Sequence, residues 1–132
     1  MEYLIGLALA GGVAGLAGNL GFDRDRSFAP TALIVIAAYY VLFAVMGGTS
    51  QTIVVESCVA MGFLALGVVG FKTNPRIVAA AIIGHGVFDF VHGFLISNPG
   101  MPAWWPGFCG AIDVALGGWL MSRRVAQLDT KV

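Results

Sequence analysis

The chain has 132 residues, of which 58% are hydrophobic and 11% charged, and its net charge is zero. A soluble domain carries charge on about a quarter or more of its surface, so an ordinary water-exposed fold is excluded. Zero net charge gives no sign of nucleic-acid binding, and the length suits a single domain over residues 1–132.

A membrane-spanning helix needs about 20 apolar residues. Five segments of the sequence meet that need, which predicts an all-α integral membrane bundle. The first covers residues 3–20. It lacks the basic stretch that opens a signal peptide, so it is expected to remain as a span. Gly11 and Gly15 stand in it at GxxxG spacing, with Gly12 and Gly18 nearby. Small residues let helix backbones approach in lipid, so this stripe predicts a packing face toward another helix or toward a second copy of the chain in a homo-oligomer.

The second segment, residues 30–48, opens at Pro30, whose missing amide suits a first helical turn. Tyr39 and Tyr40 lie at its middle, where each either fills the core or offers a hydroxyl to a polar cluster. The third segment, residues 52–71, carries Glu56 near its start. The fourth, residues 77–96, holds "GHGVFDFVHGF" and with it both histidines of the chain. The fifth, residues 104–121, contains Cys109 and Asp113. The breaks "GFDRDRSFAP", "GGTSQ", "KTNPR" and "SNPGMPAWW" are rich in Gly, Pro, Asn and Ser, as loops are. Cys58 and Cys109 both fall in apolar segments without a CxxC spacing, and are expected to be buried free thiols.

The seven Lys and Arg residues sort themselves. Arg24 and Arg26 fall in the first link, Lys72 and Arg76 in the third, and Arg123, Arg124 and Lys131 in the C-terminal tail. With five spans they all lie on one side, which the positive-inside rule makes cytoplasmic. The N-terminus is then outside and the C-terminus inside. Trp104 and Trp105 suit an aromatic belt at the outer interface. The first and last helix pairs would have opposite topology about the third, as in inverted-repeat transporters, although the two pairs share little sequence.

Glu2, Asp23, Asp25 and Asp129 lie outside the spans and ask for no special account. Glu56, Asp89 and Asp113 lie within them. A carboxylate at the bilayer centre costs about 2.5–3.5 kcal/mol on insertion scales, so such groups face a protein interior or a wet cavity and mark function by default. At 100° per residue, Asp89 sits about 40° from His85 and His92 about 20° to the other side, so the three share one helix face. Gly84, Gly86 and Gly93 read as room for neighbouring helices to approach it. By helical rise, Asp113 lies about 13 Å from the outer end of its helix, Asp89 lies at similar depth, and Glu56 and His92 lie about 6–7 Å in. The site is therefore placed in the outer half of the membrane.

Imidazole combined with carboxylate suits a divalent metal such as zinc, iron, manganese or copper. His85, Asp89, His92 and Asp113 are the expected ligands. Glu56 and Asp113 are the candidates for a catalytic role, as a general base or a further ligand. Two competing readings use the same residues: a structural His–Asp hydrogen-bonded network, and a proton or ion relay. Haem ligation is a minor further reading, since two histidines seven apart on one helix cannot clamp opposite faces of one porphyrin.

The stretch from Gly84 to Met121 resembles small bacterial multi-pass membrane proteins of unknown function. These share a His-xxx-Asp-xx-His helix, a Pro/Trp-rich outer loop, and a helix with Cys and Asp four apart. Here those elements are His85, Asp89 and His92, then Pro102 to Pro106, then Cys109 and Asp113. The resemblance implies a bacterial inner membrane and gives Asp113 weight as a partner of the histidine helix. It implies no activity. Alkaline-ceramidase-like hydrolases and histidine-box desaturases also build sites from His and Asp on spans, but two histidines are too few for a desaturase-type di-iron site. The leading expectation is thus a membrane-embedded metal site acting on a lipid-like substrate. The alternative is a small transporter, relay or accessory subunit.

Overall fold

The computed structural model describes the backbone of residues 1–129 and the side chains of residues 1–123. The side chain of Arg124 and all of Lys131 lie outside the described residues. Five helices account for nearly all of the described chain: α1 (Glu2–Leu20), α2 (Phe28–Gly47), α3 (Ser50–Lys72), α4 (Pro75–Leu95) and α5 (Trp105–Asp129). A 3-10 turn, Phe22–Arg24, links α1 to α2. α1 to α4 are each long and apolar enough to cross a membrane. α5 has the length but is not among these by hydropathy; Asp113, four glycines and two tryptophans dilute its apolar residues.

The helix ends follow from local chemistry. α1 stops at Gly21, whose φ of 80° is left-handed and suits glycine. Thr49 caps α3 by accepting the Thr52 amide at 3.2 Å. Asn74 caps α4 by accepting the Arg76 amide at 3.0 Å, and Pro75 takes the first helical position. In the α1–α2 link, the Ser27 amide and then its hydroxyl donate to Asp25, which holds that carboxyl below its usual range.

α4 is the centre of the bundle. It packs chiefly on α5 and also touches α3 and α2; α1 lies against the far side of α5, and α2 pairs with α3. The α4–α5 seam is lined with glycine. A Cβ at Gly86 would stand 2.9 Å from the Asp113 Cβ and 3.0 Å from the Gly110 carbonyl. Such a crossing brings two backbones together and carries the site residues with them. Gly84 and Gly93, in contrast, meet nothing within 4 Å. Of the three glycines expected to give room on α4, only Gly86 does so, because the other two point away from α3 and α5. Gly11 and Gly15 also meet nothing within 4 Å. α1 instead packs on α5 through Gly6, against the Phe108 carbonyl, and through buried Ala10 and Ala17.

The interior divides by height. At the start of α4, Leu33, Val78, Ala79, Ile82, Leu116 and Leu120 form a dry core with Ala29 and Ala81. Beyond Ile82, the buried residues of α4 are His85, Gly86, Asp89 and His92. Outside, the pattern reverses: Leu4, Leu16, Val54, Met61, Phe94 and Leu95 are among the many exposed large apolar side chains. Polar groups inside and apolar ones outside suit a chain whose solvent is lipid. Cys58 belongs to this outer surface, which corrects its expected burial; Cys109 is buried as expected.

The described basic residues gather at the end opposite the polar interior. Arg123 grips buried Asp23 through Nε at 2.8 Å and Nη2 at 2.7 Å, tying the α1–α2 link to α5. Arg26 donates to the Phe71 carbonyl at 2.6 Å and lies over the Phe71 ring, closing the end of α3. Asp23 therefore has a structural role that its position in a charged loop did not announce.

Candidate functional site

Each residue singled out from the sequence is buried: Glu56, His85, Asp89, His92 and Asp113 are at most 1% exposed. The helices do turn them toward one another, but into two clusters rather than one.

The deeper cluster joins α4 to α5 and α2. His85 Nδ1 lies 2.8 Å from Asp113 Oδ2 and 3.5 Å from Asp89 Oδ1. The three residues offer ligand atoms that all lie within 4.8 Å of one another. Tyr40, on α2, donates its hydroxyl to Asp89 Oδ1 at 2.7 Å. The second carboxylate oxygens, Asp89 Oδ2 and Asp113 Oδ1, are buried without a hydrogen-bond partner. The Phe63 ring covers His85 edge-on at 4.7 Å, and the buried thiol of Cys109 is within electrostatic reach of both carboxylates. His85 and Asp89 share a face because they are one turn apart, and the Gly86–Gly110 crossing sets Asp113 opposite them.

The shallower cluster joins α4 to α3 and to the α4–α5 loop. His92 Nε2 meets Glu56 Oε1 at 2.8 Å. Asn98 folds inward from the loop and donates Nδ2 to the same Glu56 oxygen at 2.8 Å and to the Tyr40 carbonyl at 3.0 Å. Gly100 allows this fold, since its backbone rests on Phe43 and Gly47 with no room for a side chain. The Tyr40 ring stacks on His92 with centroids 4.0 Å apart and stands between the clusters.

Thus the metal-compatible group holds three of the four expected ligands, His85, Asp89 and Asp113. His92 pairs instead with Glu56, because seven residues carry it about 10 Å along the helix axis from His85. Asp113, offered from the sequence both as ligand and as base, lies within ligand distance, whereas Glu56 belongs to the other cluster. Sequence reasoning missed Asn98, which in "SNPG" reads as an ordinary turn residue. It left Tyr40 open between two roles; the hydroxyl contact gives it the polar one, while Tyr39 packs its ring against Trp105 and Phe43.

No protein-family model, no curated protein and no solved structure matches the chain. Function must therefore be argued from this geometry.

Proposed function

We propose that the chain is a multi-pass membrane protein that holds a divalent metal ion between His85, Asp89 and Asp113. The observation that carries this reading is the convergence of one imidazole and two carboxylates from two helices, with a buried oxygen of each carboxylate left unpartnered. Two ligands at 2.0–2.1 Å from a tetrahedral ion stand about 3.4 Å apart. The 3.5 Å between His85 and Asp89 already suits this, and the 2.8 Å between His85 and Asp113 needs to open by about half an ångström.

Charge supports the same reading. The spans contain three carboxylates, two imidazoles and no Lys or Arg. Even with both imidazoles protonated, one negative charge is left in a medium that penalises it. A bound cation or a proton kept on a carboxyl is needed to balance it. Three protein ligands leave a metal position for water, which the ion would activate against a lipid-like substrate.

α5 is read as the fifth span because it lies between α1 and α4, both apolar enough to cross. The described basic residues then mark the cytoplasmic face, and the resemblance of the Gly84–Met121 stretch favours a bacterial inner membrane. The open Gly11–Gly15 face suits a second copy of the chain.

A second reading is a structural network without metal. It is favoured by the direct 2.8 Å contacts His85–Asp113 and His92–Glu56. Elemental analysis of the protein purified in detergent separates the two. We expect metal in whole-number ratio to the chain, and loss of an ion in His85→Ala and in Asp113→Asn. Metal-free wild type, with both variants losing thermal stability, would establish the network instead.

A further inference from the structure

The exposed side of α2 carries a groove of about 480 Å³ at the basic end of the bundle. From the helix it takes Phe28, Thr31, Ala32, Val35 and Ile36. Steps of three and four residues put these on one helix face, and none of them is fully buried. From the α1–α2 link the groove takes Phe22, Asp25 and Ser27. Its lining is therefore graded along its length. Asp25, Ser27 and Thr31 stand at the basic end, while Ala32, Val35 and Ile36 continue toward the middle of the span. From Phe28 to Ile36 the helix rises about 12 Å. A membrane lipid has the same order, with its head at the interface and its chains within.

Charge decides which head fits. Basic residues at a membrane surface draw anionic lipids, but this groove ends in a carboxylate. Arg24 and Arg26 flank Asp25 in the sequence, yet Asp25 forms no ion pair among the described residues. Arg26 is held instead by the Phe71 carbonyl and ring. Asp25 Oδ1 accepts both bonds from Ser27, at 2.9 Å each, and these favour its ionised form. Oδ2 has no hydrogen bond from the described residues. The Ser27 hydroxyl spends its proton on Asp25 and keeps its lone pairs for accepting. A primary ammonium needs such acceptors, and the rings of Phe22 and Phe28 add faces that attract a cation.

We propose that this groove binds a phospholipid through a primary-ammonium headgroup. Asp25 is the counter-ion, Phe22 and Phe28 flank the ammonium, and an acyl chain lies along Ala32, Val35 and Ile36. The proposal rests on the membrane reading of the chain and is independent of the metal centre.

The test is native mass spectrometry of the full chain in detergent, titrated separately with phosphatidylethanolamine, phosphatidylcholine and phosphatidylglycerol of matched chains. The choline head has no N–H to donate, and the glycerol head has no cation. Wild type is expected to bind the ethanolamine lipid about fivefold more tightly than either, the upper end for an exposed ion pair. Asp25→Asn keeps an acceptor for Ser27 and removes the charge, so it should melt as wild type does and lose the preference. Val35→Trp should fill the apolar half of the groove and bring the ethanolamine lipid to the level of the other two. Should Asp25→Asn melt below wild type, Val35→Trp decides alone. Equal binding of the three lipids by wild type overturns the proposal, as does a preference for either of the others. So does an ethanolamine preference that survives in a variant. A wild type that binds none of the three overturns the membrane reading as well.

Discussion

Tyr40 shows what one side chain does between two polar clusters. Its hydroxyl holds Asp89, its ring stacks on His92, and its carbonyl receives Asn98. Partners one shell out from a metal orient the ligands, and their loss typically costs about 10- to 100-fold in affinity. Tyr40→Phe should therefore weaken the deeper ion by about that factor, read by Co²⁺ titration. A lost hydrogen bond in a membrane protein averages only about 0.6 kcal/mol, so thermal stability should change little. The sequence put two tyrosines side by side without choosing between them. Neighbours on a helix point about 100° apart, and only the position of α4 decides which one meets a carboxylate. Asn98 was less legible still, because its Pro-Gly setting describes a turn and is silent about where the turn folds.

At the scale of helices, the α4–α5 crossing determines the site. Gly86 and Gly110 let the backbones approach until Asp113 meets His85. In Gly86→Ala the new methyl must displace Asp113 or the Gly110 backbone. Overpacking of this kind costs about 1–3 kcal/mol, and it separates two ligands at once. The expected result is lower thermal stability together with reduced metal content. Gly84→Ala, two residues away, places its methyl where nothing lies within 4 Å and should leave both unchanged. Both glycines look alike in the sequence; packing against α5 makes only one of them intolerant. The helical face shared by His85, Asp89 and His92 was readable from spacing alone, but its division into two clusters was not. That division depends on which helix lies opposite at each height: α5 at His85, α3 at His92.

For the molecule as a whole, the basic end and the polar end are opposite. The proposed orientation puts Ser50 outside and Thr73 in the cytoplasm. A membrane-impermeant maleimide applied to intact cells should label Ser50→Cys, and should reach Thr73→Cys only after permeabilisation. The reverse pattern would invert the orientation, and equal labelling would argue against a fixed one. Composition alone pointed to a membrane protein, since its few charges cannot clothe a water-facing surface. Hydropathy and loop residues determined the five helices, because span length and backbone breakers are local properties. Only the tertiary structure decided which buried groups meet: His85 with Asp113, His92 with Glu56, Asp23 with Arg123. The physical reason is that the cost of a charge in hydrocarbon demands a partner without naming it, and the choice is made by how closely each pair of helices can pack.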